Sequence, residues 1–209
     1  MAEDTATSKA IGAAALPGIF MPVHTISNWL PKEHADSVLD FMITSQEQFT
    51  ASRVYGKGEG HIDPDFRKSV VFRGGKEIKD PLREAVTAIK PELQKVLGVP
   101  DFPAKRIEVE FAAHGEGAHF ERHVDTLHDS TSSTRILTLV YYLNREPKTY
   151  SGGHLRLYAL NNQETKEIEP MHNLLVAFPA FAPHSVAEVH CPSGRFEDQR
   201  FAVNIWVHR

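Results

Sequence analysis

Arg200-Phe201-Ala202-Val203-Asn204-Ile205-Trp206-Val207 alternates without interruption. Successive side chains of a strand point to opposite faces, so Phe201, Val203, Ile205 and Val207 make one apolar face. Arg200, Ala202, Asn204 and Trp206 make the other. A strand that buries one face completely and sets a lone arginine on the second reads as part of a barrel or sandwich wall. Arg200 is then either an edge residue in water or an inward-facing anchor for an anion. Working back along the chain, period-two segments recur at 184–190, 173–178, 153–159, 135–143 and 106–112, each bounded by turn residues. Short strands at this spacing predict a β-sandwich or barrel, not a sheet built from βαβ units. No internal repeat of fixed period is present.

The first half of the chain reads differently. Residues 30–42 predict a helix with Pro31 in the first turn and Ala35, Val38, Leu39 and Met42 on one stripe. Residues 79–97 predict a second, with Leu82, Ala85, Val86, Ile89, Leu93 and Leu97 on its apolar face. Pro91 is expected to kink or split it, and Gly98 to end it. Residues 18–23, 48–55 and 67–73 read as short strands, and 56–65 as a Gly/Pro-rich loop at the mouth of a site. Residues 1–17 are expected to be a poorly ordered extension. The organisation predicted is one domain over 18–209, in which 18–105 supports a β core at 106–209. The fold class is mainly β with flanking helices.

Composition narrows the partners. A formal net charge of -4 argues against nucleic acid, which needs a basic face to neutralise phosphates. No apolar run approaches the ~18 residues of a membrane helix. The single cysteine, Cys191, allows no internal disulfide, and Glu3 and Asp4 stand where a secretory signal would be basic. The expectation is a soluble cytoplasmic protein.

Histidine is the unusual count, at 12. Three His-x-Asp tripeptides occur. His34 and Asp36 fall in the first helix, where residues two apart point in nearly opposite directions and cannot share an ion. His61 and Asp63 lie in the Gly/Pro-rich loop, with no strand to orient them. His123 and Asp125 lie in extended chain, where residues two apart project to one side and can converge on one metal. A third ligand belongs on a later strand, with His154, His172, His184, His190 and His208 as candidates. His184 follows a buried strand and the Pro-bounded turn Pro179-Ala180-Phe181-Ala182-Pro183, which places it at a strand mouth. Two imidazoles and one carboxylate form the facial ligand set of non-haem Fe(II). Arg200 offers a planar fork to a carboxylate such as the distal one of 2-oxoglutarate. Thr138 and Tyr142 share a face of 135–143, and their hydroxyls could complete that pocket.

These residues, in this order, resemble the prolyl hydroxylase branch of the Fe(II)/2-oxoglutarate oxygenases, most closely the oxygen-sensing prolyl hydroxylases. The text that carries the resemblance is Arg122-His123-Val124-Asp125, Arg135-x-x-Thr138-x-x-Tyr141-Tyr142-Leu143-Asn144 and Ser151-Gly152-Gly153-x-Leu155-Arg156. Ile168-Glu169-Pro170, Leu174-Leu175-x-x-Phe178, Pro183-His184 and Arg200-x-Ala202-x-x-x-Trp206 complete it. The resemblance covers residues 108 to 207. It implies a double-stranded β-helix, a cupin-like jelly roll, with Fe(II) on His123, Asp125 and His184. It implies 2-oxoglutarate held by Arg200 and Tyr142, with Thr138, Asn204 and Trp206 lining its pocket. The implied reaction uses O2, converts 2-oxoglutarate to succinate and CO2, and hydroxylates a prolyl residue of a protein or peptide or a small amino-acid-like molecule. Ascorbate is the implied reductant. Arg122, His119, Arg135 and the 56–65 loop are the candidate substrate contacts.

The chain departs from that family in three places. Ungapped alignment puts Ala113 where the oxygen-sensing enzymes carry a pocket Tyr, leaving Phe111 or His114 to fill the space. The stretch from His184 to Arg200 is longer than usual, so Arg195 competes with Arg200 for the anchor; Arg200 is preferred because it fits the last strand. The front half lacks the family's substrate-gripping loops. Two other readings remain: a cupin-like metal enzyme that uses no oxo-acid, and a non-catalytic β-barrel interaction module.

Overall fold

The computed structural model describes residues 17–55, 60–126 and 133–209. Residues 1–16, 56–59 and 127–132 lie outside them, and with them most of the expected N-terminal extension and part of the expected 56–65 loop. In chain order the elements are β1 (His24–Ser27), α1 (Lys32–Thr44), β2 (Thr50–Ala51), β3 (Arg67–Lys68), β4 (Val70–Phe72), α2 (Lys76–Leu97), β5 (Arg106–His114) and β6 (His119–His123). They continue with β7 (Arg135–Leu143), β8 (Ser151–Gly152), β9 (Leu155–Tyr158), β10 (Thr165–Ile168), β11 (Leu174–Pro179), β12 (His184–Val186), β13 (Val189–His190) and β14 (Arg200–His208).

The strands form a seven-stranded sheet in the order β1-β11-β7-β14-β5-β4-β2 and a five-stranded sheet in the order β10-β9-β12-β6-β3. A short β13-β8 pair lies beside them. All pairings are antiparallel, with β14 bonded to β5 on one side and β7 on the other. This is a double-stranded β-helix carrying helices on one face, the form that the resemblance implies for strands read as a sandwich or barrel.

Alternation sorts the core into two compartments. One face of the large sheet offers Leu137, Leu139, Tyr141, Leu175, Ala177, Phe201, Val203, Ile205 and Val207 to the helices. The helices answer with Ala35, Val38, Leu39 and Met42 from α1 and Leu82, Val86, Leu93 and Leu97 from α2. The opposite face turns Val140, Tyr142, Val176, Phe178 and Ala202 toward Leu155 and Leu157 of the small sheet. Full burial of each large apolar side chain contributes about 1.5–3 kcal/mol, and a one-residue slip of β14 would exchange the compartments and bury Arg200 among the helices.

Some expectations need correction. Residues 18–23 form no strand; the chain there is tied by side chains, Gly18 N–H to Glu164 and Ile19 N–H to Asn161. Pro22 has no donor for a ladder at that point. The expected strand at 48–55 shrinks to β2 and one bridge between Val54 and His61. Residues 67–73 split into β3 and β4, which pair with different sheets. Pro91 does not divide α2, which runs unbroken through Pro81 and Pro91. A proline forfeits one helical hydrogen bond, whereas Leu82, Val86, Leu93 and Leu97 hold both halves of α2 on the same sheet face. Gly98, at φ 63°, ends the helix as expected, and Val99 N–H closes back on the Gln94 carbonyl. Among the described residues, no helix is long and apolar enough to cross a membrane.

Candidate metal centre and cosubstrate pocket

His123 ends β6 and His184 opens β12, and the two residues are direct partners across that antiparallel pair. Asp125 lies two residues beyond, its N–H donating to the Ala180 carbonyl at 2.8 Å. Pairing between neighbouring strands thus brings residues 61 positions apart together (184 minus 123). One ligand atom from each of the three side chains lies within 4.8 Å of the others. His123 Nε2 is 3.7 Å from Asp125 Oδ1, and His184 Nε2 is 3.6 Å from Asp125 Oδ2.

Backbone carbonyls orient both rings. His123 Nδ1 donates to the Glu121 carbonyl at 2.7 Å and His184 Nδ1 to the Ala182 carbonyl at 2.9 Å. Those bonds leave each Nε2 as the free lone pair facing Asp125. Phe120 stacks on His123 at 3.5 Å and Phe178 meets His184 edge-on at 4.8 Å, which fixes the ring planes. Burial, assisted by the neighbouring His184, pushes the His123 pKa down to about 3, so the ring is held neutral. Burial opposes ionisation of Asp125, but His184, His123 and the hydrogen bond from Thr138 outweigh it and keep its pKa below the usual carboxylate value. Two neutral imidazoles and one carboxylate form the protonation state that binds a divalent metal.

These groups open into a cleft of 820 Å³. From the wall, β7 supplies Thr138, Val140 and Tyr142, and β14 supplies Arg200, Asn204 and Trp206. Arg200 is 1 % exposed, with its guanidinium 4.8 Å above the Tyr142 ring. Neither Arg200 Nε nor Tyr142 Oη has a hydrogen-bond partner. A buried unmade donor costs about 1–3 kcal/mol, so two of them side by side favour a ligand that brings an acceptor. Gly153, at φ 69°, backs this pocket: a Cβ there would lie 2.6 Å from Arg200 Cδ. Arg195, the competing anchor, has a side chain 61 % exposed and paired with Asp198 at 2.7 Å. It does not line the cleft.

The remaining sequence candidates divide between the cleft and places outside it. Thr138 Oγ1 donates to Asp125 Oδ2 at 2.7 Å, so its hydroxyl serves the carboxylate and not the pocket beside Tyr142. Trp206 and Asn204 line the cleft, and Trp206 carries the Arg135 guanidinium 3.9 Å over its ring. Arg135 is further held by Glu108 at 3.0 Å. Arg122 lies at the cleft, stacked on Tyr158 at 4.4 Å. His119 is absent from the cleft lining; its ring is taken by the Gly117 and Asp65 carbonyls. His61 and Asp63, 3.9 Å apart, sit with no third ligand among the described residues.

Among the cleft residues that escaped sequence reasoning are Glu108 and Glu110. Glu110 is buried and receives both Arg67 at 3.1 Å and Arg73 at 2.5 Å. Glu108 and Glu110 share the cleft face of β5 with His114, while Val109, Phe111 and Ala113 face the helices. Ala113 and Phe111 therefore cannot reach the pocket, and His114 fills the space left open there. The period-two rule applied to β5 would have shown this division.

Comparison with known proteins agrees with this geometry. Residues 109–208 match the family model of the 2OG-Fe(II) oxygenase superfamily. An uncharacterized PKHD-type hydroxylase of Synechocystis is 32 % identical over 204 residues, covering 93 % of this chain. This chain spans 64 % of that protein's length. A crystal structure of a Pseudomonas putida prolyl-4-hydroxylase superposes with a TM-score of 0.69 at 19 % identity, over 90 % of this chain and 94 % of that one. A Trichoplax adhaerens prolyl hydroxylase, solved with a hypoxia inducible factor peptide fragment, has a TM-score of 0.69 at 20 % identity, over 90 % and 84 % of the two chains.

Proposed function

We propose that the chain is an Fe(II)/2-oxoglutarate-dependent dioxygenase, a reading supported by the match of residues 109–208 to the family model of the 2OG-Fe(II) oxygenase superfamily. Its substrate is a prolyl residue of a protein or peptide, or a small amino-acid-like molecule. The observation that carries this reading is the adjacency of His123, Asp125 and His184 in one cleft with the buried, incompletely bonded Arg200. The prolyl assignment draws support from structural neighbours that are prolyl hydroxylases, one of them solved with a peptide.

The residues fit both groups. His123 and His184 offer Nε2 and Asp125 a carboxylate oxygen, a set suited to Fe(II). Arg200 and Tyr142 offer N–H and O–H donors to the distal carboxylate of 2-oxoglutarate. Charge also balances: the dication and Arg200 offset Asp125 and the dianionic oxo-acid, which matters in a buried site. When bound, iron with 2-oxoglutarate and O2 supplies the oxidising equivalents for hydroxylation, and the oxo-acid leaves as succinate and CO2. Thr138 and the Ala180 carbonyl hold Asp125 in place, and Val140 and Leu155 give the cleft an apolar wall. Arg122 and Arg135 are among the cationic side chains that a substrate entering this cleft would meet. Ascorbate as reductant and a cytoplasmic location complete the proposal; the buried free thiol of Cys191 suits a reducing compartment.

A cupin-like enzyme without an oxo-acid would have no use for Arg200 buried as it is. The test is anaerobic loading with Fe(II) and 2-oxoglutarate, followed through the weak visible absorption that appears only when both are bound. The band is expected in the wild-type protein, and Asp125→Ala and Arg200→Ala should each weaken it. A well-folded wild-type protein that loads iron and shows no band would overturn the oxo-acid reading.

A further inference from the structure

We propose that His114 is a positioning residue for the cosubstrate, holding the Arg200 guanidinium in the attitude in which it meets a carboxylate. The inference rests on the 2-oxoglutarate reading above. A guanidinium can receive a carboxylate in bidentate fashion end-on, through its two Nη groups, or side-on, through Nε and one Nη. Either geometry requires the plane and rotation of the guanidinium to be held in advance. Arg200 Nη1 is 3.2 Å from His114 Nδ1, with both side chains buried. Arginine is always protonated and can only donate, so Nδ1 is the acceptor and the ring proton belongs on Nε2. One of the two Nη1 hydrogens is thereby committed to His114, which fixes the rotation of the guanidinium. Nε is buried with no partner.

Two further contacts hold the guanidinium in that attitude. Tyr142 lies beneath its plane at 4.8 Å, and Gly153 gives way where any side chain would press on Arg200 Cδ. The register of β14 on β5 explains the pairing, because Arg200 and His114 are direct partners on the cleft side of the sheet. The imidazole keeps its acceptor at neutral pH: burial and the charges of Arg200 and Arg67 hold its pKa well below the usual histidine value, against the opposing pull of the Arg200 carbonyl.

The experiment compares wild-type protein with His114→Leu and His114→Asn, each loaded anaerobically with Mn(II) and titrated calorimetrically with 2-oxoglutarate. His114→Leu is expected to weaken 2-oxoglutarate binding about tenfold or more, the order of one charge-assisted hydrogen bond. Mn(II) affinity should stay unchanged in the same variant, which separates positioning from general damage. His114→Asn, which keeps a side-chain acceptor, should recover most of the loss. In the wild-type protein without ligand, nitrogen NMR should show His114 Nδ1 unprotonated from pH 6 to 8. Equal 2-oxoglutarate affinity in wild type and His114→Leu, or a protonated Nδ1, would overturn the role of His114 while leaving the functional reading intact. A wild-type protein that binds Mn(II) but no 2-oxoglutarate would overturn the functional reading and this role with it.

Discussion

Thr138 shows how much one hydroxyl can settle. Its bond to Asp125 Oδ2 does two things: it adds to the pull of His184 and His123 that keeps the carboxylate ionised against burial, and it leaves Oδ1 toward His123. Removing such a support typically costs 10–100-fold in metal affinity. Thr138→Val keeps the shape and loses the donor, so Mn(II) affinity measured by competition titration should fall by about 10–100-fold with the fold unchanged. Unaltered affinity would show that the Ala180 carbonyl alone is enough to hold Asp125. The same residue marks the reach of sequence reading. Alternation placed Thr138 on the cleft face beside Tyr142, correctly, yet it could not say that the hydroxyl would turn to Asp125, because that bond joins β7 to a residue past the end of β6.

At the scale of elements, the strands were more legible than the helices' details. β14 showed both faces in its text, and the structure divides them between the helix-side core and the cleft. α2 was expected to break at Pro91, and tertiary packing carried it through. That helix also buries a lysine. Lys79 reaches the Arg73 carbonyl and lies over Phe111 at 5.4 Å. Burial, reinforced by Arg83, lowers its pKa from 10.5 to about 8. In that interval the unfolded chain binds a proton that the folded chain has released, so stability rises with pH from about 8 to 10.5. Lys79→Met removes this term. Chemical denaturation at several alkaline pH values should therefore give a flatter profile for the variant than for wild type, and parallel profiles would refute the burial of a lysine charge here.

The whole molecule is two sheets meeting at a cleft, and Glu110 crosses between them. It belongs to β5 in the large sheet and receives Arg67 from β3 in the small one, while Arg73 holds its second oxygen. Glu110→Gln would strand two guanidiniums beside the cleft. A buried pair losing one charge costs about 3–5 kcal/mol, and the low end is expected because Gln keeps an oxygen for one arginine. Urea denaturation should show a loss of about 3 kcal/mol. A loss below the range of ordinary surface substitutions, about 0.5 kcal/mol, would mean the two sheets are held by apolar packing alone.

By itself the sequence determined the fold class, the sorting of β14 into two faces, and the dismissal of His34-Ala35-Asp36, since these rest on local periodicity. It also brought His123, Asp125, His184 and Arg200 forward as a set. The tertiary structure decided what depends on partners distant in the chain. It left Arg195 paired with Asp198 at the surface and buried Arg200, turned Ala113 to the helices and His114 to the cleft, and withdrew His119. The physical reason is that periodicity names the face a side chain occupies, whereas strand register between β5 and β14, and between β6 and β12, chooses the atom it meets.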